Sequence, residues 1–318
     1  MNLLDIANHV CERLGSTDAD SVTQAKKFAR RRYQQVYDAQ AWAEGMGAVE
    51  VTTDASGIAV VPHLSHIWQV RKGSSGAAHV LEQVDRQRVL LIAPDALDEA
   101  GEPVAWSEIE PVGALRQPTQ QDYFSVDSSS PADNQQVRLV VSDPTDGRFA
   151  TSRLDLTVTL AGTTPITVAD DGTPLGYVST ILQFSKPETQ GNVRIYEPII
   201  NGVMQTLRPN ELTQRFPRVQ LMRDPEEATS LVVFGKLKCV PLLHDADTPA
   251  LSGIDDLLCA FVTGDMLERE QQYGKANIKF QEANGLLAGR IQAERTLKGN
   301  RIQLVPSVVN YSERDLIY

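Results

Sequence analysis

The chain is poor in cysteine, in long apolar runs and in cations, and each shortage removes a class of protein. Its 318 residues hold three cysteines, Cys11, Cys239 and Cys259, without CxxC or Cys/His spacing. That excludes a disulfide scaffold and predicts free thiols, buried beside Val10, Val240 and Leu258, in a reducing compartment. No stretch approaches the roughly eighteen apolar residues of a membrane span, and MNLLDIANHVCERLG has neither a basic leader nor a signal-like apolar run. The expectation is a soluble chain with no membrane partner. Thirty Lys and Arg stand against 41 Asp and Glu, a net charge of -11. So acidic a surface repels phosphates and argues against a protein whose main work is holding nucleic acid. TPR, ankyrin and propeller periods are absent, and the one biased tract is the short SVDSSSPADNQQ.

The patterns of catalysis are missing too. There is no GxSxG, no SxxK at a helix start, no cysteine paired with a histidine, no Walker A loop and no dinucleotide fingerprint. Asp255/Asp256 and Glu226/Glu227 fall at a helix start and in a turn, where carboxylates favour the helix dipole or solvent. His63 and His66 lie between predicted strands, where residues three apart do not share a face. His244, Asp245 and Asp247 read as a polar turn. The sequence therefore predicts no enzyme, no cofactor and no metal site.

What is present is an α+β pattern, with 42% hydrophobic residues, 21 Gly and 17 Pro. Leu3, Ile6, Ala7, Val10 and Leu14 form a helical stripe closed by Gly15, and STDADS then offers caps for a second helix. Val22, Ala25, Phe28, Ala29, Tyr33, Val36 and Tyr37 carry that helix toward Trp42. From about residue 46 the period becomes two, in AVEVTT, GIAVVP and IWQVRKG, and a short helix is expected at Val89 to Ile92. QPTQQDYFSVDSSSPADNQ has the look of a boundary. Beyond it VRLVVSD, RLDLTVTLAG, PITV, YVSTILQFSKP and GNVRIYE are short strands with sandwich-like spacing, Leu154, Leu156, Val158 and Leu160 sharing a face. The expected division is 1–118, 119–212 as an inserted sandwich, 213–300, and a 301–318 extension. FPRVQLMRDPEEATSLVVFGKLKCVPL resumes strands after the insertion.

A single helix is expected from Ile254 to Leu297, roughly 60 Å long. Ile254, Leu258, Phe261, Val262, Met266, Tyr273, Ala276, Phe280, Ala283, Leu287 and Ile291 fall in one sector at 100° per residue. Asp265, Arg269 and Gln272 interrupt it. They are either an intrahelical pair where the stripe meets solvent, or a buried polar group that fixes register against another helix or subunit. On the second helix Lys26, Lys27, Arg30, Arg31 and Arg32 form a basic cluster, to be met by solvent, an acidic partner or nucleic acid.

This order of features resembles the head-to-tail adaptor, or connector, proteins of tailed bacteriophages. The helix pair ending at Trp42, the strand in IWQVRKG, the turn in GEPVAW, the strand pair from FPRVQLMRD to KLKCVPL, and DDLLCAFVTGDMLEREQQYGKANIKFQEA carry the resemblance. The central strands look like an immunoglobulin-like insertion, which some neck proteins have. The resemblance implies a structural virion protein in the neck, assembled in the host cytoplasm as a ring of about twelve copies. Its implied partners are its own copies, the portal protein, a downstream tail or nozzle protein and, transiently and non-specifically, genomic DNA. In such a ring Asp265, Arg269, Gln272, Tyr273 and Phe280 would meet neighbours, and Tyr311, Leu316 and Tyr318 would lie in an extension that orders only on a partner. Lys26, Lys27, Arg30, Arg31 and Arg32 would meet DNA or an acidic partner. The competing expectation is a tail-associated module that binds a carbohydrate or receptor.

Overall fold

The computed structural model describes residues 1–54, 56–73, 79–85, 101–118, 124–142, 153–170, 173–174, 180–198, 202–209, 211–223, 225 and 227–302. The chain is α+β and divides into two compact units, Met1–Met46 with the chain from Cys239 onward, and Gly47–Lys238. The helix pair groups with the C-terminal helices, and the early strands group with everything up to Lys238. The reason is that the helices share one apolar core, from Leu3 and Tyr33 to Leu258 and Ala283, while the early strands pair with the late ones.

In the helical unit, α1 (Leu3–Leu14) opens on a capping box between Asn2 and Asp5 and closes on Gly15, whose φ of 70° is the left-handed conformation. α2 (Ala19–Asp38) is capped by Asp18, which accepts from the Ser21 amide and hydroxyl. Those bonds, the amide first, hold the Asp18 carboxyl down at about 2. The helix ends four residues before Trp42, which is buried and donates its indole N–H to the Val36 carbonyl at 3.0 Å.

The long C-terminal helix of the sequence pattern is two helices, α3 (Asp255–Arg269) and α4 (Tyr273–Ile302), packed on each other. The break is a Schellman turn: the Gln272 N–H bonds to the Leu267 carbonyl and the Gln271 N–H to the Glu268 carbonyl. Gln271 takes the left-handed place with φ 60°, where α1 has glycine. EREQQ contains good helix formers and no stop residue, so the local sequence does not announce the corner. Packing imposes it. α3 is buried on every side from Leu257 to Leu267, because α1, α2 and α4 all lie against it.

The second unit contains a seven-stranded sheet in the order 46–52, 230–237, 64–72, 79–83, 105–112, 216–222, 58–60. Strands 105–112 and 216–222 are antiparallel neighbours, and the chain between them forms two four-stranded sheets, so that segment is an insertion in the seven-stranded sheet. The two smaller sheets share one core, with Val137, Leu139 and Phe184 from one and Val126, Ile195 and Leu207 from the other. Leu156, Val158 and Leu160 are buried in it and Leu154 packs at its edge, as the alternation requires. Glycine permits close approach of neighbouring backbone, as at Gly113, where a Cβ would lie 2.5 Å from the Phe184 nitrogen, and at Gly191, where it would lie 2.5 Å from the Ser130 nitrogen. The helix expected at Val89 to Ile92 lies outside the described residues.

Candidate interaction site in the helical unit

The charges in the apolar stripe resolve into a closed polar contact between three helices. Arg32 projects from α2, Asp265 from α3 and Phe280 from α4. The Asp265 carboxylate accepts from Arg32 Nε at 2.7 Å and Nη2 at 2.5 Å, a bidentate fork. The Arg32 guanidinium lies 5.0 Å from the Phe261 ring centroid and 5.1 Å from that of Phe280, so it is held between two aromatic rings. Asp265 is 7% exposed and the Arg32 side chain 18%. The bond to Asp265 is the main cause that raises the Arg32 pKa further. Gly264 completes the box, because a Cβ there would come within 2.6 Å of Phe280 Cε1.

The expected pairing of Asp265 with Arg269 is thereby corrected. Arg269 bonds instead to Asp20 of α2 at 2.8 Å, with both side chains solvated, and Gln272 Nε2 donates to Glu270 at 2.9 Å. The buried alternative fits Asp265, with a helix of its own chain as the partner. A second anchor fixes the far part of α4. Glu294, 5% exposed, accepts from the Ala43 amide at 2.6 Å, and Arg290 pairs with Glu44 at 3.2 Å with its guanidinium 5.9 Å from the Trp42 ring centroid.

The basic cluster divides by helix face. Lys26 pairs with Asp245 at 2.8 Å. Arg30 donates to the Leu242 carbonyl at 2.7 Å and the Leu243 carbonyl at 2.8 Å, and Arg32 is in the box. Lys27 and Arg31, one turn apart, are the two exposed members of the cluster. Three of the five cations thus hold the 242–245 loop and α3 in place. In that loop Asp247 accepts from the Leu243 and His244 amides, each at 2.7 Å, the turn predicted from HDAD. These bonds, that from His244 first, lower its pKa.

His63 is exposed with φ 64°, and His66 is exposed on the neighbouring strand. Among the described residues no group of three or more His, Cys, Asp or Glu is disposed to hold a metal ion. Cys11 and Cys259 are buried free thiols and Cys239 is half-buried; burial pushes the Cys259 thiol up to about 11. No helix among the described residues is long and apolar enough to cross a membrane.

The outer surface of this unit is partly apolar. Tyr273 is 63% exposed, Ile278 64% and Leu286 44%. Ile278 and Leu286 border a groove of about 740 Å³ whose walls include Leu14, Ala260 and Leu267, with Arg13, Lys275 and Glu282 also lining it. Of the residues expected at an interface, Asp265 and Phe280 come together in the box, Arg269 pairs with Asp20 and Gln272 with Glu270 instead, and Tyr273 is exposed just after the corner. Tyr311, Leu316 and Tyr318 lie outside the described residues. The sequence pattern missed Asp20 and Gly264, and the pairing of Asp245 with Lys26, because these depend on partners distant in the chain. Glu294 was within reach, since it falls in the same helical sector as Ala276 and Ile291. Neither protein-family models nor curated proteins give a match to this chain.

Proposed function

We propose that the chain is a structural subunit of a bacteriophage neck, a head-to-tail adaptor that forms a ring beneath the portal, joins capsid to tail and continues the DNA channel. The observation that carries this is α4. It is a 30-residue helix, locked on one side by the Arg32 box and the Glu294 anchor, with Tyr273 exposed at its first residue and Ile278 and Leu286 presented to solvent on its other sides. A helix seated in so specific a box, and still apolar outward, suits lateral packing against further copies. The net charge of -11 suits a channel wall that must not retain passing DNA. On this reading the inserted pair of sheets is an immunoglobulin-like module that meets tail components, and Lys27 and Arg31 are the cluster members free for an acidic partner or for transient contact with DNA.

The test is native mass spectrometry and negative-stain imaging of the purified chain, alone and mixed with candidate portal rings. An added ring layer on the portal is the expected result. A chain that ignores the portal, together with glycan binding by the isolated protein, would replace the adaptor reading with that of a tail-associated recognition module.

A further inference from the structure

We propose that α4 is an exchangeable arm: pivoting at Glu270–Gln272, it leaves the Arg32 box of its own chain and completes the same box in a second copy, whose α4 is exchanged in turn. The inference needs only another copy of this chain, and neither a portal nor a virion.

Three observations meet here. The first is phase. The apolar sector that holds Leu258, Phe261 and Met266 in α3 continues without a shift into Ala276, Phe280, Ala283, Leu287 and Ile291 of α4, although the structure breaks the helix between them. Two helices joined by a corner need not share a phase. A sequence that can also run straight must, and straightened it would extend roughly 70 Å.

The second is the hinge. The corner is held by two capping bonds and a glutamine at φ 60°, a place that glycine fills at the end of α1. Converting Glu270–Gln272 to helix exchanges those bonds for ordinary helical ones and relieves the left-handed residue. No proline or glycine within EREQQ stands in the way.

The third is the seat. What holds α4 lies along its length: Phe280 against Gly264 and the Arg32 guanidinium, Ala283 in the shared core, and Glu294 on the Ala43 amide. None of these depends on which chain supplies the arm, so an α4 from a second copy finds the same complementary surface that its own chain offers. The arm is also a weak helix alone, with Gly274, Gly285, Gly289 and Gly299 within its 30 residues, and it requires a seat in either arrangement.

The experiment uses the full chain with Asp256→Cys and Leu286→Cys in a Cys239→Ser background. Asp256 and Leu286 line one groove, whereas they stand roughly 45 Å apart along a straight helix. A flexible bis-maleimide is applied to the monomeric and self-associated fractions from size-exclusion chromatography, with isotopically mixed chains to distinguish links within a chain from links between chains. Links within chains are expected in the monomer and links between chains in the associated fraction. Gln271→Gly, which eases the corner, should lower the between-chain fraction about five- to tenfold, and Gln271→Val, which strains it, should raise it by a similar factor. Links only within chains in the associated fraction, a between-chain fraction insensitive to residue 271, or no association of Gln271→Val at any concentration would each overturn the exchange. Portal binding without exchange would leave the adaptor reading standing, and exchange without portal binding would remove that reading alone.

Discussion

Replacing Asp265 by alanine would leave the Arg32 guanidinium between two aromatic rings with its fork unpartnered. The native pair is bidentate, at 2.7 and 2.5 Å, with Asp265 7% exposed and Arg32 18%. Breaking a buried pair from one side costs about 3–5 kcal/mol, because the surviving charge stays desolvated. Arg32 keeps some access to water and can turn outward, which brings the expected loss to about 2–4 kcal/mol. The measurement is urea denaturation followed by far-UV circular dichroism, which reports chiefly on the helical unit. Asp265→Asn, which keeps the shape and part of the hydrogen bonding, should lose about half as much. The double replacement Arg32→Met with Asp265→Leu should come within about 1 kcal/mol of the parent, since an apolar pair of similar volume removes the charge and its desolvation together. A loss below about 0.5 kcal/mol for Asp265→Ala would place it among ordinary surface substitutions and refute the argument that this pair fixes the three helices.

Three further outcomes are expected. Gly264→Ala, ordinarily favourable in a helix, should lower stability by about 1–3 kcal/mol because the new methyl meets Phe280, and Phe280→Leu should recover part of that loss in a thermal melt. Lys238 has its Nζ buried with no hydrogen-bond partner, 3.8 Å from the Phe216 ring centroid, and burial brings its pKa down to about 8. The unfolded chain then binds more protons between about pH 8 and 10.5, so stability should rise with pH through that window. Lys238→Met should remove that slope and gain about 2 kcal/mol at neutral pH, as read from denaturant midpoints across a pH series. The contribution of the Asp18 cap is present above its ordinary pKa of 3.8 and should be lost as pH falls through about 2. Asp18→Ala should therefore lower the neutral-pH melting temperature and flatten the acid limb of the stability curve.

Much of this molecule is written in local pattern. Asn2, Asp18 and Gly15 mark helix ends because each satisfies backbone groups within a few residues, and Leu154 to Leu160 alternate because a strand has two faces. The HDAD turn could be read for the same reason, its bonds being to neighbours in the chain. The corner at Gln271 could not, because its three residues favour helix and only the burial of α3 on all sides folds α4 back upon it. The basic cluster shows the same limit. Five cations on one helix are visible in the sequence, but which of them face a loop, a carboxylate or water depends on elements more than 200 residues away.

The sequence by itself determined the α+β composition, the caps, the alternating strands and the unbroken phase of the C-terminal stripe, since propensity, capping and periodicity act over a few residues. Tertiary structure alone decided that this stripe folds into a hairpin, that Asp265 belongs to Arg32, and that the N-terminal helices group with the C-terminal ones and not with the strands that follow them. Those choices rest on desolvation and packing between segments far apart in the chain, where a charge is stable only with its partner and an apolar face only when covered.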